Sequence, residues 1–96
     1  MIVEAAILNI RPGQSQAFAS ALRTALPLIE TSQGFRGMEV RPCVENENQF
    51  LLLVRWEKLE DHTVGFRGSK RYQKWREALH QFYDPFPTVL HYGEPI

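Results

Sequence analysis

Gln49-Phe50-Leu51-Leu52-Leu53-Val54-Arg55-Trp56-Glu57 is the stretch on which the fold turns. Phe50, Leu52, Val54 and Trp56 alternate with Leu51, Leu53, Arg55 and Glu57, the period of two that marks a β-strand. Both sets carry apolar residues, so both faces of this strand need cover. Upstream, Glu45-Asn46-Glu47-Asn48 is a polar turn. Before it, Phe35 to Val44 reads as another strand, interrupted by Gly37 and Pro42, where a bulge or an edge is expected. A short turn between two strands makes an antiparallel hairpin.

Further out, Ile2 to Ile10 is a strand with Ile2, Ala6, Leu8 and Ile10 on one face beside Glu4, and Val3, Ala5 and Ile7 on the other. Arg11-Pro12-Gly13 breaks it. Gln14 to Glu30 is a helix whose Phe18, Leu22, Ala25 and Ile29 form a core stripe, with Pro27 expected to kink or tighten its last turns. Downstream, Leu59 to Phe66 reads as a short helix broken by Gly65 and Gly68. Ser69 resembles an N-cap. The helix that follows is expected to reach about Tyr83, with Tyr72, Trp75, Leu79 and Phe82 inward and Lys70, Lys74, Glu77 and Gln81 in water. Asp84-Pro85-Phe86-Pro87 stops it, and Thr88 to Gly93 is the last strand.

The order β-α-β-β-α-β predicts an α+β fold of the ferredoxin-like kind, a four-stranded antiparallel sheet with helices on one face. Residues 1–96 are read as a single domain. The helices leave the other sheet face bare, and a large bare apolar face is rare on monomers. Packing two sheets together in a two-fold homodimer removes it. The face of the third strand that meets the partner, Phe50-Leu52-Val54 or Leu51-Leu53-Arg55, stays open at this level.

Composition narrows the partners. Eleven basic and eleven acidic side chains cancel, so the chain as a whole has no electrostatic reason to seek nucleic acid or an anionic membrane. Cys43 is the one cysteine. It allows neither an intrachain disulfide nor a cysteine zinc site, and it fits a reducing cytoplasm. No basic leader opens the chain, and no apolar run approaches the length of a membrane span.

The second half carries a more specific pattern. Leu52-Leu53-Val54-Arg55-Trp56-Glu57 runs into Leu59-Glu60-Asp61-His62, then Ser69, Tyr72 and Trp75, then Val89-Leu90-His91-Tyr92. A strand ending in Trp-Glu, a short helix bearing His, a Ser before an aromatic helix and a closing His-Tyr strand together resemble the antibiotic biosynthesis monooxygenase superfamily. Arg11-Pro12-Gly13 before the first helix also fits. The resemblance covers nearly the whole chain and implies a dimeric α+β barrel. Some relatives oxidise polycyclic phenols without metal or flavin; others degrade haem, isomerise or decarboxylate.

No phosphate-binding loop, dinucleotide fingerprint or serine elbow occurs, so function must come from scattered residues between helices and sheet. His62 is the candidate proton acceptor, with a surface or capping histidine as the plainer account. Phe66, Tyr72 and Trp75 suggest an aromatic wall, Tyr72 adding a hydroxyl; ordinary core packing of an amphipathic helix is the alternative. Arg55 and His91 complete the expected pocket. Arg55 needs a partner if buried, Glu39 or Glu57 being within reach across the hairpin. Arg76 and His80 could hold an anion from one helix edge. Glu57, His62 and His91 match no diagnostic metal spacing, so no metal is expected.

These residues point to a cofactor-independent monooxygenase acting on a small aromatic or quinol-like substrate, with no cofactor. The alternative is a non-catalytic dimer that holds a small metabolite. The haem-degrading branch resembles this chain in fold but uses an Asn in the first strand, a Trp on the short helix and a ligating His on the next. The matching positions are Ala6, Phe66 and Trp75 or Arg76, so haem chemistry is not expected.

Overall fold

A computed structural model describes all 96 residues. The first strand β1 is Ile2–Asn9, followed by helix α1, Ser15–Glu30. Strands β2, Phe35–Pro42, and β3, Gln49–Trp56, form the hairpin. A π-helical turn, Asp61–Phe66, leads to helix α2, Lys70–Leu79, a 3-10 turn, His80–Phe82, and strand β4, Val89–Tyr92. The sheet order is β2-β3-β1-β4 with every pair antiparallel.

Register decides which face each side chain takes. Glu4 stands opposite Val54 and Ala6 opposite Leu52 on β3, while Glu4 also pairs with His91 and Ala6 with Val89 on β4. These residues share the face that the helices cover. Ala6, Leu8, Leu52, Val54 and Trp56 are buried there against Phe18, Ala25 and Ile29 of α1 and Trp75 and Leu79 of α2.

The outer face is therefore Val3, Ala5 and Ile7 beside Leu51, Leu53 and Arg55, with Leu90 and Tyr92 on β4. Ile7 is 53% exposed, Leu90 51% and Tyr92 54%. Phe50-Leu52-Val54 thus faces the helices, and Leu51-Leu53-Arg55 faces away. An apolar groove of about 490 Å³ runs on this side between the sheet and Pro85–Thr88. No helix is long and apolar enough to cross a membrane.

Local chemistry accounts for the boundaries. Gly37 has φ +124°, and the β2 register shifts between Phe35 and Met38, the bulge expected at that glycine. The helix α1 continues through Pro27 to Glu30. The expected short helix, Leu59 to Phe66, is present: Leu59 and Glu60 open it, and Asp61–Phe66 continues it as a π-turn closed by the wide bond from Arg67 N–H to the His62 carbonyl. Ser69 caps α2 by accepting from the Tyr72 N–H at 3.2 Å. The helix ends at Leu79 and tightens through Phe82 rather than reaching Tyr83. Tyr83 is extended and bridges Ile10, the residue just after β1.

Candidate functional site

A polar chain runs through the apolar layer between sheet and helices. The Trp56 indole N–H donates to Glu4 Oε1 at 3.0 Å, and His62 Nε2 lies 3.3 Å from the same oxygen. On its other side, His62 Nδ1 meets His91 Nε2 at 2.8 Å. The His62 ring stacks on Trp56 with centroids 5.3 Å apart and planes 14° apart. His62 is 3% exposed and Glu4 6%, yet no fully enclosed side-chain polar atom lacks a partner.

Strand register and the π-turn build this arrangement. Glu4 and His91 are cross-strand partners on the inner face, and Trp56 reaches Glu4 from the neighbouring strand. The π-turn then lays His62 over Trp56. Its seat depends on Gly34, because an added Cβ there would lie 2.0 Å from the Asp61 carboxylate at the start of the turn. Gly68 closes the turn: its N–H donates to the Val64 carbonyl, and a Cβ would lie 2.5 Å from that oxygen. Gly65 has only ordinary contacts in that test. The turn requires one of these two glycines, not both.

Burial sets the protonation of the chain. Desolvation pushes the Glu4 carboxyl above its usual range, opposed by the Trp56 hydrogen bond and the Arg67 charge. Desolvation, aided by Arg67 and then His91, lowers His62 to about 3, so its imidazole is neutral at ordinary pH. His91 is lowered by desolvation and Arg67, and His80 by desolvation and Arg76. Tyr83 is raised by burial, then by Glu4 and Tyr72. The Glu4–His62 contact is therefore a close polar approach, 3.3 Å, of two groups that burial drives toward neutrality, rather than an ion pair.

Beside the chain lies a cavity of about 60 Å³, lined by Glu4, His62, Phe66, Arg67, Tyr72 and Trp75, with His80, Tyr83 and several aliphatic side chains completing the wall. Phe66 meets Tyr72 and Trp75 edge-on, at centroid distances of 5.4 and 5.9 Å. Four of the residues singled out from sequence, His62, Phe66, Tyr72 and Trp75, thus border one space. His91 does not line it and joins through His62. Arg55 is corrected: it projects from the outer face of β3, about half exposed, with its guanidinium 4.0 Å from Glu39. The alternation along β3 puts it opposite the Trp56 side, so it cannot reach the cavity. Glu57 instead pairs with Arg36. Arg76 and His80 border an open polar surface depression, and no group of three or more metal-ligating side chains forms.

Sequence reasoning missed Glu4, Arg67 and Tyr83 as members of the site. The signal for Glu4 was present: it is the one acid in the register of Ala6, Leu8 and Ile10. Tyr83 joins only because the chain straightens after Phe82.

A family model described as antibiotic biosynthesis monooxygenase matches residues 1–78. The chain belongs to this family. YczJ of Bacillus subtilis, an uncharacterized protein, is 50% identical over 94 residues, covering 98% of this chain and 99% of its own. The crystal structure of a candidate antibiotic biosynthesis monooxygenase from Bordetella bronchiseptica superposes with TM-score 0.93 at 28% identity, covering 99% of this chain and 97% of that one. SnoaB of Streptomyces nogalater, a cofactor-independent oxygenase, has TM-score 0.86 at 9% identity over 99% of this chain and 93% of its own, a likeness of fold alone. Against this family background, the Glu4–His62–His91 chain is the polar feature that the fold of this member places beside the cavity.

Proposed function

We propose that this chain is a cofactor-independent monooxygenase that works as a homodimer in the cytoplasm on a small aromatic or quinol-like substrate. The observation that carries the reading is the convergence of a neutral, buried His62 with Tyr72, Phe66 and Trp75 on one cavity between helices and sheet. Membership of the family supports the reaction class.

The chemistry suits those groups. A substrate with an acidic ring CH₂ or hydroxyl loses a proton to the polar chain that includes His62 and becomes an electron-rich anion. That anion reduces dioxygen itself. In the CH₂ case a carbon-bound peroxide forms, takes up a proton, and loses water to leave a carbonyl, so that CH₂ and O₂ become C=O and H₂O. The protein holds and returns protons, excludes water and orients the ring. Tyr72 would supply the orienting hydroxyl, and Phe66 and Trp75 the apolar walls.

At about 60 Å³ the cavity is well below the ~150 Å³ of an engineered site that takes up benzene. Substrate must therefore displace part of the wall, and half-buried Tyr72 with exposed Arg67 is the side open to solvent. The tight cavity is also the observation favouring a non-catalytic dimer that holds a metabolite smaller than a ring. Oxygen uptake decides between them. Incubation with a panel of anthrone- and quinol-type compounds should consume dioxygen in step with product. Binding without uptake across the panel would favour the non-catalytic dimer.

The bare outer face supports the homodimer. Ile7, Leu51, Leu90 and Tyr92 form a continuous apolar surface that a second sheet would cover.

A further inference from the structure

Both ring nitrogens of His62 face a polar group: Nδ1 is hydrogen-bonded to His91 and Nε2 lies 3.3 Å from Glu4 Oε1. An imidazole in that position is a poor isolated base, because burial disfavours its charged form and a proton taken at Nδ1 would cost the bond to His91. It is well placed to pass a proton on. The Trp56 bond and the His62 approach both reach Glu4 at Oε1, which leaves Oε2 in no hydrogen bond, in a residue that lines the cavity. At the far end, His91 is only partly buried on the edge strand β4.

We infer that Glu4, His62 and His91 form a proton relay in which Glu4 exchanges protons with whatever occupies the cavity and His91 exchanges them with solvent. Only one proton fits between the two imidazoles at 2.8 Å. In the relay, protonated Glu4 turns its O–H onto His62 Nε2 across the 3.3 Å contact, and the His62 Nδ1–H donates to His91. Moving both protons one bond along leaves Glu4 ionised, His62 neutral with its proton on Nε2, and His91 charged. No atom is lost, and His62 is never required to carry charge. Its strong burial, which disfavours the imidazolium, therefore does not block transfer. Trp56 donates to Glu4 in both states and steadies the ionised one.

The other titratable or charged groups around the chain are Arg67 after the π-turn, Tyr72 on α2, His80 on the 3-10 turn and Tyr83 beyond it; α1 contributes only Ile29 to the cavity wall. Arg67 opposes charge on both histidines and favours it on Glu4. That bias drives a proton off Glu4 and makes a charged His91 short-lived, as a port to solvent requires. Glu4 is accordingly assigned as a catalytic residue of the activity proposed above, and His91 as a positioning and proton-exchange residue. The assignment deepens that reading and rests on it only for the identity of the proton donor.

The test does not need turnover. In protein labelled with ¹⁵N-histidine, ring nitrogen shifts report each tautomer, and saturation transfer from water reports exchange of the proton shared by His62 and His91. His62 is expected to be neutral from pH 5 to pH 8 with one proton between the rings. His91→Gln keeps a hydrogen-bonding amide but cannot carry a proton through. It is expected to slow exchange of the remaining His62 ring proton about fivefold or more. A merely structural His91 predicts unchanged or faster exchange, since weakening the contact opens the site, and that result would overturn the relay. So would a charged His62 in the unmodified protein at neutral pH, a measurement that needs no variant to fold. Slower exchange without oxygen uptake on any substrate would keep the relay and remove the monooxygenase reading. Oxygen uptake with exchange unchanged in His91→Gln would do the reverse.

Discussion

The Trp56 indole donates to Glu4 Oε1 at 3.0 Å across two adjacent strands, holding a carboxyl in the most apolar layer of the molecule. Burial raises the Glu4 pKa in the folded state. A group whose folded pKa exceeds its unfolded one favours the fold at low pH and gives up that advantage as pH rises through the folded value. Glu4→Gln removes the ionisation and keeps the shape. Its stability relative to the unmodified protein is expected to improve steadily above pH 4.5, the unperturbed value. Urea unfolding at pH 5 and pH 8 checks this. A Gln variant that lost ground at the higher pH would contradict a raised carboxyl.

His62 works in the opposite direction. Its folded pKa of about 3 lies below the unperturbed 6.5. The unfolded chain therefore binds the proton first on acidification, and stability is lost as pH falls from 6.5 toward 3. The slope can approach about 1.4 kcal/mol per pH unit. The lowered His80 and His91 add in the same direction. In a Glu4→Gln background, where the opposing carboxyl is gone, unfolding midpoints should drop between pH 6.5 and pH 4. Adding His62→Gln should flatten that drop. Equal slopes with and without His62 would mean that its imidazole is not held neutral by the fold.

The two faces of β3 make a paired test of the dimer. Leu51 is 37% exposed on the outer face, while Leu52 is 7% exposed and lies against the helices. Leu51→Glu should leave a folded chain whose mass by light scattering falls from dimer to monomer. Leu52→Glu buries an unpaired charge and should unfold the protein, a loss of several kcal/mol. An unmodified protein that is monomeric at micromolar concentration would dispose of the sheet-to-sheet dimer.

The glycines of the π-turn separate in the same manner. A Cβ at Gly68 would stand 2.5 Å from the Val64 carbonyl oxygen, a backbone atom that cannot swing aside, whereas at Gly65 the nearest atom is 3.7 Å away. Gly68→Ala is expected to cost about 1–3 kcal/mol through forced backbone movement. Gly65→Ala should be neutral, or stabilising by up to about 1 kcal/mol from lower unfolded-state entropy. Melting temperatures of the two single variants check the order, with roughly 4–8 °C per kcal/mol in a chain of this size.

The alternation in Ile2–Asn9 and Gln49–Trp56 made the sheet and its two-sided apolar character legible, because a period of two fixes facing without knowledge of neighbours. It could not say which β3 face the helices cover, since Leu51-Leu53 and Leu52-Val54 are equally apolar. The aromatic wall was legible from helical spacing at Tyr72 and Trp75. Arg55 was misplaced because strand alternation gives a face only once the covered side is known. The Glu4–His62–His91 chain was out of reach: its members are 58 and 29 residues apart, and only the β1–β4 register and the π-turn bring them together.

Tyr72 offers the most direct test of the cavity as a binding site. Its ring packs edge-on to Phe66 at 5.4 Å and to His80 at 6.4 Å, contacts that phenylalanine would reproduce. Tyr72→Phe should therefore leave the melting temperature nearly unchanged. It should weaken a hydroxylated aromatic ligand by about 1 kcal/mol, roughly fivefold in Kd, if the lost hydroxyl bonds that ligand. Tyr72→Ala removes the ring and should enlarge the 60 Å³ space enough to admit benzene or phenol, detectable by calorimetry or by ligand density in crystals. His62→Ala should lower kcat by more than it weakens binding, because proton transfer belongs to the transition state. A Tyr72→Ala protein that takes up no ring-sized ligand would show that the wall collapses inward, and the cavity would then be a packing void rather than a site.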